Sequence, residues 1–131
     1  MVEIVTLDDI RVRFGTSTPR RQFLFRQLAI VVNHLLSTGN VNRIYLFGSF
    51  VSGKASPNDV DLLVVMNTGF STTHLDGRSL EVFQHDVCRI RYHADVFWLT
   101  EAVGRDRIED LLDVFSRDRE GREQSIFEVK L

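Results

Sequence analysis

The sequence predicts a small α/β (α+β) fold, a mixed β-sheet with helices packed against it. Three observations predict it. Apolar residues recur at helical spacing in several segments. Short runs rich in β-branched and aromatic residues fall between them, and Gly- and Ser-rich breaks separate the two kinds. A length of 131 residues suits one domain, and 44% hydrophobic content can build a core. We expect residues 1–131 to form a single domain, with 1–18 as an N-terminal extension and 124–131 as a closing strand.

Thr6 and Asp9 have capping-box spacing, so LDDIRVRF reads as a short leading helix. Thr18-Pro19 supplies an N-cap and a first-turn proline for a longer helix. Its stripe is Leu24, Leu28, Val31 and Leu35, with Phe25, Val32 and Leu36 beside it, and Gly39 ends it. RIYLF, 43–47, reads as a strand. Gly48-Ser49 then breaks the chain, and 49–53 suits a short helical turn. The apolar run around Asp59-Val60-Asp61 reads as a second strand. NTGFSTTHLDG, 67–77, is a loop by its Gly, Ser, Thr and Asn content. Leu80, Phe83, Val87 and Ile90 indicate one amphipathic helix. YHADVFWL, 92–99, reads as a third strand. Thr100 can cap a helix whose apolar face is Ile108, Leu111, Leu112 and Phe115. RDREGREQ is a solvated turn, and SIFEVKL is a last strand. After the leading helix, the order is α-β-α/turn-β-α-β-α-β.

Composition excludes several classes. A net charge of -2 argues against a broad basic nucleic-acid footprint and leaves room only for a local patch. No apolar stretch approaches the roughly 20 residues that span a bilayer, so no membrane role is expected. The N-terminus lacks a basic-then-apolar signal pattern. Cys88 has no partner cysteine and reads as core filler. A cytoplasmic protein is the expectation.

The chemistry concentrates in LFGSFVSGKASPNDVDLLVVM, residues 46–66. Alternate strand residues share a face, so Asp59 and Asp61 stand together, with Cα atoms about 6.6 Å apart. Val60, Leu62, Val64 and Met66 take the other face. Asp95 lies in an equally apolar strand. If that strand lies beside the first, three carboxylates converge. At an effective dielectric near 20, two charges 6 Å apart repel by about 2.8 kcal/mol, and three such pairs by roughly 8 kcal/mol. Protons, basic side chains or divalent cations can relieve this. The basic candidates are Lys54 and Arg43. All-oxygen ligation suits Mg²⁺ or Mn²⁺, and magnesium keeps places for substrate phosphates. Gly48 lets the backbone approach a ligand, and Ser49 offers a hydroxyl and exposed amides to phosphate. Two metals could hold the phosphates of an NTP, with Asp59 and Asp61 on both and Asp95 on the catalytic one, where it receives a proton.

Gly48-Ser49, nine residues, Asp59-Val60-Asp61 and a later strand aspartate together resemble the DNA-polymerase-β-like nucleotidyltransferase superfamily, minimal type. The flanks FGTSTPRR and SIFEVKL are similar to those of a small branch of it. The resemblance implies a nucleotidyltransferase-like fold and Mg²⁺-dependent transfer of an NMP from an NTP, ATP foremost, to a hydroxyl of protein, RNA or a small molecule. It implies Asp59, Asp61 and Asp95 as catalytic and metal residues, and Gly48, Ser49 and Lys54 as nucleotide-binding ones. It also implies a helical partner protein or a second copy, as in toxin-antitoxin pairs. The alternative is a catalytically silent fold acting as a binding or antitoxin module.

Singly, each feature has a plainer reading. Gly-Ser alone is a turn, and Asp-x-Asp alone is a solvated strand end. Asp95 could pair with Arg89 or Arg91, and Lys54 could be a loop lysine. Ser52, Ser56 and Asn58 suit a turn. His93, two residues before Asp95, is expected on the same strand face as a packed histidine. His74 and His85 lack zinc-like spacing. The charges of 105–123 read as a solvated face.

Overall fold

A computed structural model describes residues 2–131. The elements are β1 (Val2–Val5), α1 (Leu7–Phe14), α2 (Pro19–Ser37), β2 (Val41–Phe47), β3 (Val60–Met66), α3 (Gly77–Val82), α4 (His85–Tyr92), β4 (Ala94–Thr100), α5 (Arg105–Phe115) and β5 (Ile126–Val129). The strands form one sheet in the order β1-β5-β2-β3-β4. β1 runs parallel to β5 and β3 parallel to β4, while β2 is antiparallel to both of its neighbours. The sheet is therefore mixed with helices packed against it, as the sequence predicts, and the helices lie on both faces.

Local signals explain the first two helices. Thr6 and Asp9 exchange side-chain and backbone hydrogen bonds at 2.9 and 3.0 Å, a complete capping box. The Thr18 hydroxyl accepts from the Arg21 amide at 3.1 Å, and Pro19 begins α2. Leu24, Leu28, Val31, Val32 and Leu35 of α2 are buried. They meet Ile44, Leu46, Val60, Leu62, Val64 and Met66 in a core closed by α1, α3 and α4. A smaller core occupies the opposite face. There Tyr45, Phe47, Leu63, Val65 and Ile126 pack under Ile108, Leu111, Leu112 and Phe115 of α5. No described helix is long and apolar enough to cross a membrane.

Four expectations need correction. Val2–Val5, read as part of an extension, is an edge strand paired with β5. The single helix over 80–90 is two helices, because Gln84 takes a non-helical conformation (φ -99°, ψ 100°). This lets Phe83 join Phe70 and Trp98 in an aromatic cluster. It also turns α4 so that Cys88 and Tyr92 are buried, while Val87 and Ile90 are exposed. The third strand starts at Ala94 rather than 92, because Tyr92 ends α4 and His93 takes a left-handed conformation (φ 53°). His93 therefore shares no strand face with Asp95. Finally, Thr100 caps a short 3₁₀ turn, Glu101–Val103, and α5 follows from Gly104.

Candidate functional site

Phe47 of β2, Asp61 of β3 and Asp95 of β4 lie side by side in register. Parallel pairing of β3 and β4 thus sets two aspartates abreast, and Asp59 joins them from the residue just before β3. One carboxylate oxygen from each of Asp59, Asp61 and Asp95 lies within 4.8 Å of the others. All three are half-buried. The start of β3 is fixed to the turn before β4 by a hydrogen bond from the Val60 amide to the His93 carbonyl, at 3.0 Å.

Gly48 closes the site from the end of β2. Its φ is +84°, and a Cβ there would stand 2.1 Å from the Asp61 Oδ2. Glycine is thus required both by the left-handed backbone and by the carboxylate against it. Ser49 opens the 3₁₀ turn Ser49–Val51, which buries Phe50 and Val51. The break and the paired aspartates are in physical contact.

The electrostatics follow from crowding. Burial first, then the neighbouring Asp95 carboxylate, raises the pKa of Asp59, although Arg89 and Arg119 oppose this. Burial, followed by repulsion from Asp59 and Asp95, pushes Asp61 up to about 8. Asp95 receives partial relief. His85 Nε2 lies 3.3 Å and Arg89 Nε 3.7 Å from its Oδ1. Neither contact has hydrogen-bond geometry, so that buried oxygen stays unbonded. The donor set fits a hard divalent cation: three clustered carboxylates, one of them with an unbonded buried oxygen, and two whose pKa burial and mutual repulsion raise. These three aspartates could hold a metal ion.

The other sequence candidates distribute unevenly. Lys54 is exposed and lines a cleft of about 340 Å³ with Arg13, Ser17, Thr18 and Arg21; none of the three aspartates lines it. Arg43 is 2.8 Å from Glu128, at the opposite end of β2, and does not relieve the aspartates. Arg91 pairs with Glu81 at 2.6 Å, whereas Arg89 is the one facing Asp95. Cys88 is buried as core filler, and burial pushes its thiol up to about 12.

Sequence reasoning missed His85, which the Gln84 break carries over Asp95. It also missed Arg20 and Arg21. Arg21 had a visible signal: it extends the stripe Leu24, Leu28, Val31, Leu35 by one turn, a charged residue on a buried face.

Comparison with known proteins yields two likenesses. The model of a family described as "Family of unknown function (DUF6932)" matches residues 3–130. The fold is also similar to a crystal structure from Sulfolobus solfataricus described as "a putative nucleotidyltransferase". The two share 18% identity at a TM-score of 0.41, over 89% of this chain and 91% of that one. No curated protein matches the sequence.

Proposed function

The chain belongs to the DUF6932 family of unknown function, and on its site geometry we propose that it is a metal-dependent nucleotidyltransferase. The observation that carries this reading is the three-aspartate cluster with Gly48 pressed against Asp61. A structural ion-pair network would bring cations to those carboxylates. Here His85 and Arg89 come near Asp95 without bonding it, one Asp95 oxygen stays unbonded, and burial with mutual repulsion raises the pKa of Asp59 and Asp61. That is the signature of a site whose counter-charge comes from outside the chain.

Asp59, Asp61 and Asp95 would hold Mg²⁺ or Mn²⁺, which when bound neutralises the carboxylates and the triphosphate and polarises the phosphoryl group. Gly48 and Ser49 present backbone amides and a hydroxyl where the distal phosphates of an NTP would lie. Asp95 accepts the proton of the acceptor hydroxyl. The acceptor oxygen bonds to the α-phosphorus, the α–β phosphoanhydride breaks, and pyrophosphate leaves. The acceptor is a hydroxyl of protein, RNA or a small molecule, presented by a helical partner or a second copy.

The test is label transfer from each α-labelled NTP, ATP first, with Mg²⁺ and cell lysate as acceptor. Transfer is expected, and Asp59→Asn with Asp61→Asn should reduce it to background while the protein stays folded. Absence of both transfer and any nucleotide-dependent thermal shift would rule the reading out.

A further inference from the structure

The nine residues that join Ser49 to Asp59 carry no regular structure beyond the 3₁₀ turn that Ser49 opens, yet both ends of this loop build the site. The β2–β3 pairing ends at Phe47 and Asp61, so the backbone of Ser49 and Asp59 beyond it depends on what holds the loop. Arg21 is only 5% exposed, has no carboxylate partner among the described residues, and donates from both Nη1 and Nη2 to carbonyls. Its Nη1 donates to Phe50 O at 2.6 Å and Phe14 O at 3.1 Å. Its Nη2 donates to Ser52 O at 3.0 Å, Ser49 O at 3.5 Å and Lys54 O. Four of those five carbonyls belong to the first half of the loop.

Arg20 takes the second half. Its Nε donates to Pro57 O at 3.0 Å and its Nη2 to Asn58 O at 2.5 Å, the two residues that lead into Asp59. The same turn of α2 reaches the third aspartate as well. Arg20 lies 5.7 Å from the Phe23 ring centroid, and Phe23 packs edge-on against His93, at 5.0 Å between centroids. His93 is the turn that starts β4 two residues before Asp95, and its carbonyl holds the Val60 amide.

We infer that Arg20, Arg21 and Phe23 on the first turns of α2 form a positioning unit for the three aspartates, holding both halves of the Ser49–Asp59 loop and the start of β4. Arginine is required at 20 and 21 because a planar fork can donate to several carbonyls at once, which an ammonium on a flexible stem cannot reproduce. These residues act through the backbone of the site residues and touch no substrate. The inference rests on the aspartates being a metal site, and its test separates the two ideas.

The variants are Arg20→Ala, Arg20→Lys and Arg21→Lys, with Arg43→Ala as a control arginine outside the site. Two quantities are read: amide hydrogen exchange along the chain, and the affinity for Mn²⁺ alone. Arg20→Ala should speed exchange near residues 55–59 and leave β2 and β5 unchanged. Arg21→Lys should speed exchange at 49–54. Each should weaken Mn²⁺ binding by roughly 10–100-fold, the usual cost of losing an outer-shell support. Arg20→Lys should fail to restore either quantity, and Arg43→Ala should match wild type. The inference is overturned if exchange over 49–58 is unchanged in both loop variants. It is equally overturned if exchange rises uniformly over the sheet, or if lysine at 20 restores wild-type behaviour. Should wild type bind no Mn²⁺, the metal reading fails, and the exchange pattern alone decides the positioning role.

Discussion

The two faces of β3 share one backbone and have opposite tasks. Val60, Leu62, Val64 and Met66 point into the larger core and are wholly buried. The alternate residues begin with Asp59 and Asp61 and become apolar only at Leu63 and Val65, where α5 covers them. One face is uniform and stabilising. The other divides along its length into a charged end and a packed end. A strand flanked on both sides tolerates repelling carboxylates because its opposite face anchors it.

This contrast can be broken at neighbouring positions. Leu62→Ala should be the costliest change, lowering unfolding free energy by about 2–5 kcal/mol in denaturant titration, since it opens a cavity among fully buried side chains. Gly48→Ala should cost less, about 1–3 kcal/mol, for its left-handed backbone. Its larger effect should appear in calorimetry as lost Mn²⁺ binding, because the new methyl displaces the Asp61 carboxylate. A stable Gly48→Ala protein with wild-type metal affinity would refute the close approach as a functional feature.

Asp61→Asn should change stability with the opposite sign, by an amount that depends on pH. Asp61 has a folded pKa of about 8 against an ordinary 3.8. Between those values the folded chain holds a proton that the unfolded chain releases. Its contribution is therefore complete below about pH 4 and is lost as pH rises through about 8. Thermal melts of wild type without metal should decline across that window. Asp61→Asn should flatten the decline, and added Mg²⁺ should raise the wild-type midpoint more at pH 8 than at pH 5.

Much of this was legible because it is local. The two-residue period of a strand puts Asp59 and Asp61 on one face, and the capping residues of α1 and α2 announce themselves within four positions. The convergence on Asp95 followed from placing two apolar strands side by side. What escaped notice depended on distant partners. Val2–Val5 is short and mostly exposed, and only its pairing with 126–129 makes it a strand. The break at Gln84 is decided by Phe83 reaching Trp98, 15 residues on. Arg20 was not singled out because the carbonyls it bonds, 37 and 38 positions away, carry no sequence signal. The contact between Gly48 and Asp61 was likewise hidden, although both residues stood out.

The pairing of β1 with β5 has a consequence for assembly. It joins Val2 to Ile126, and β5 also supplies the other neighbour of β2. Contacts between residues this far apart in sequence are slow to form, because a long loop must close first. Strands β2, β3 and β4 span only residues 41–100, and together with α2 they contain the aspartates and the arginines that hold them. That segment can pair its three strands with no residue of β1 or β5. The crowded carboxylates therefore depend on the local half of the sheet, and β5 with β1 serves to cover the edge of β2.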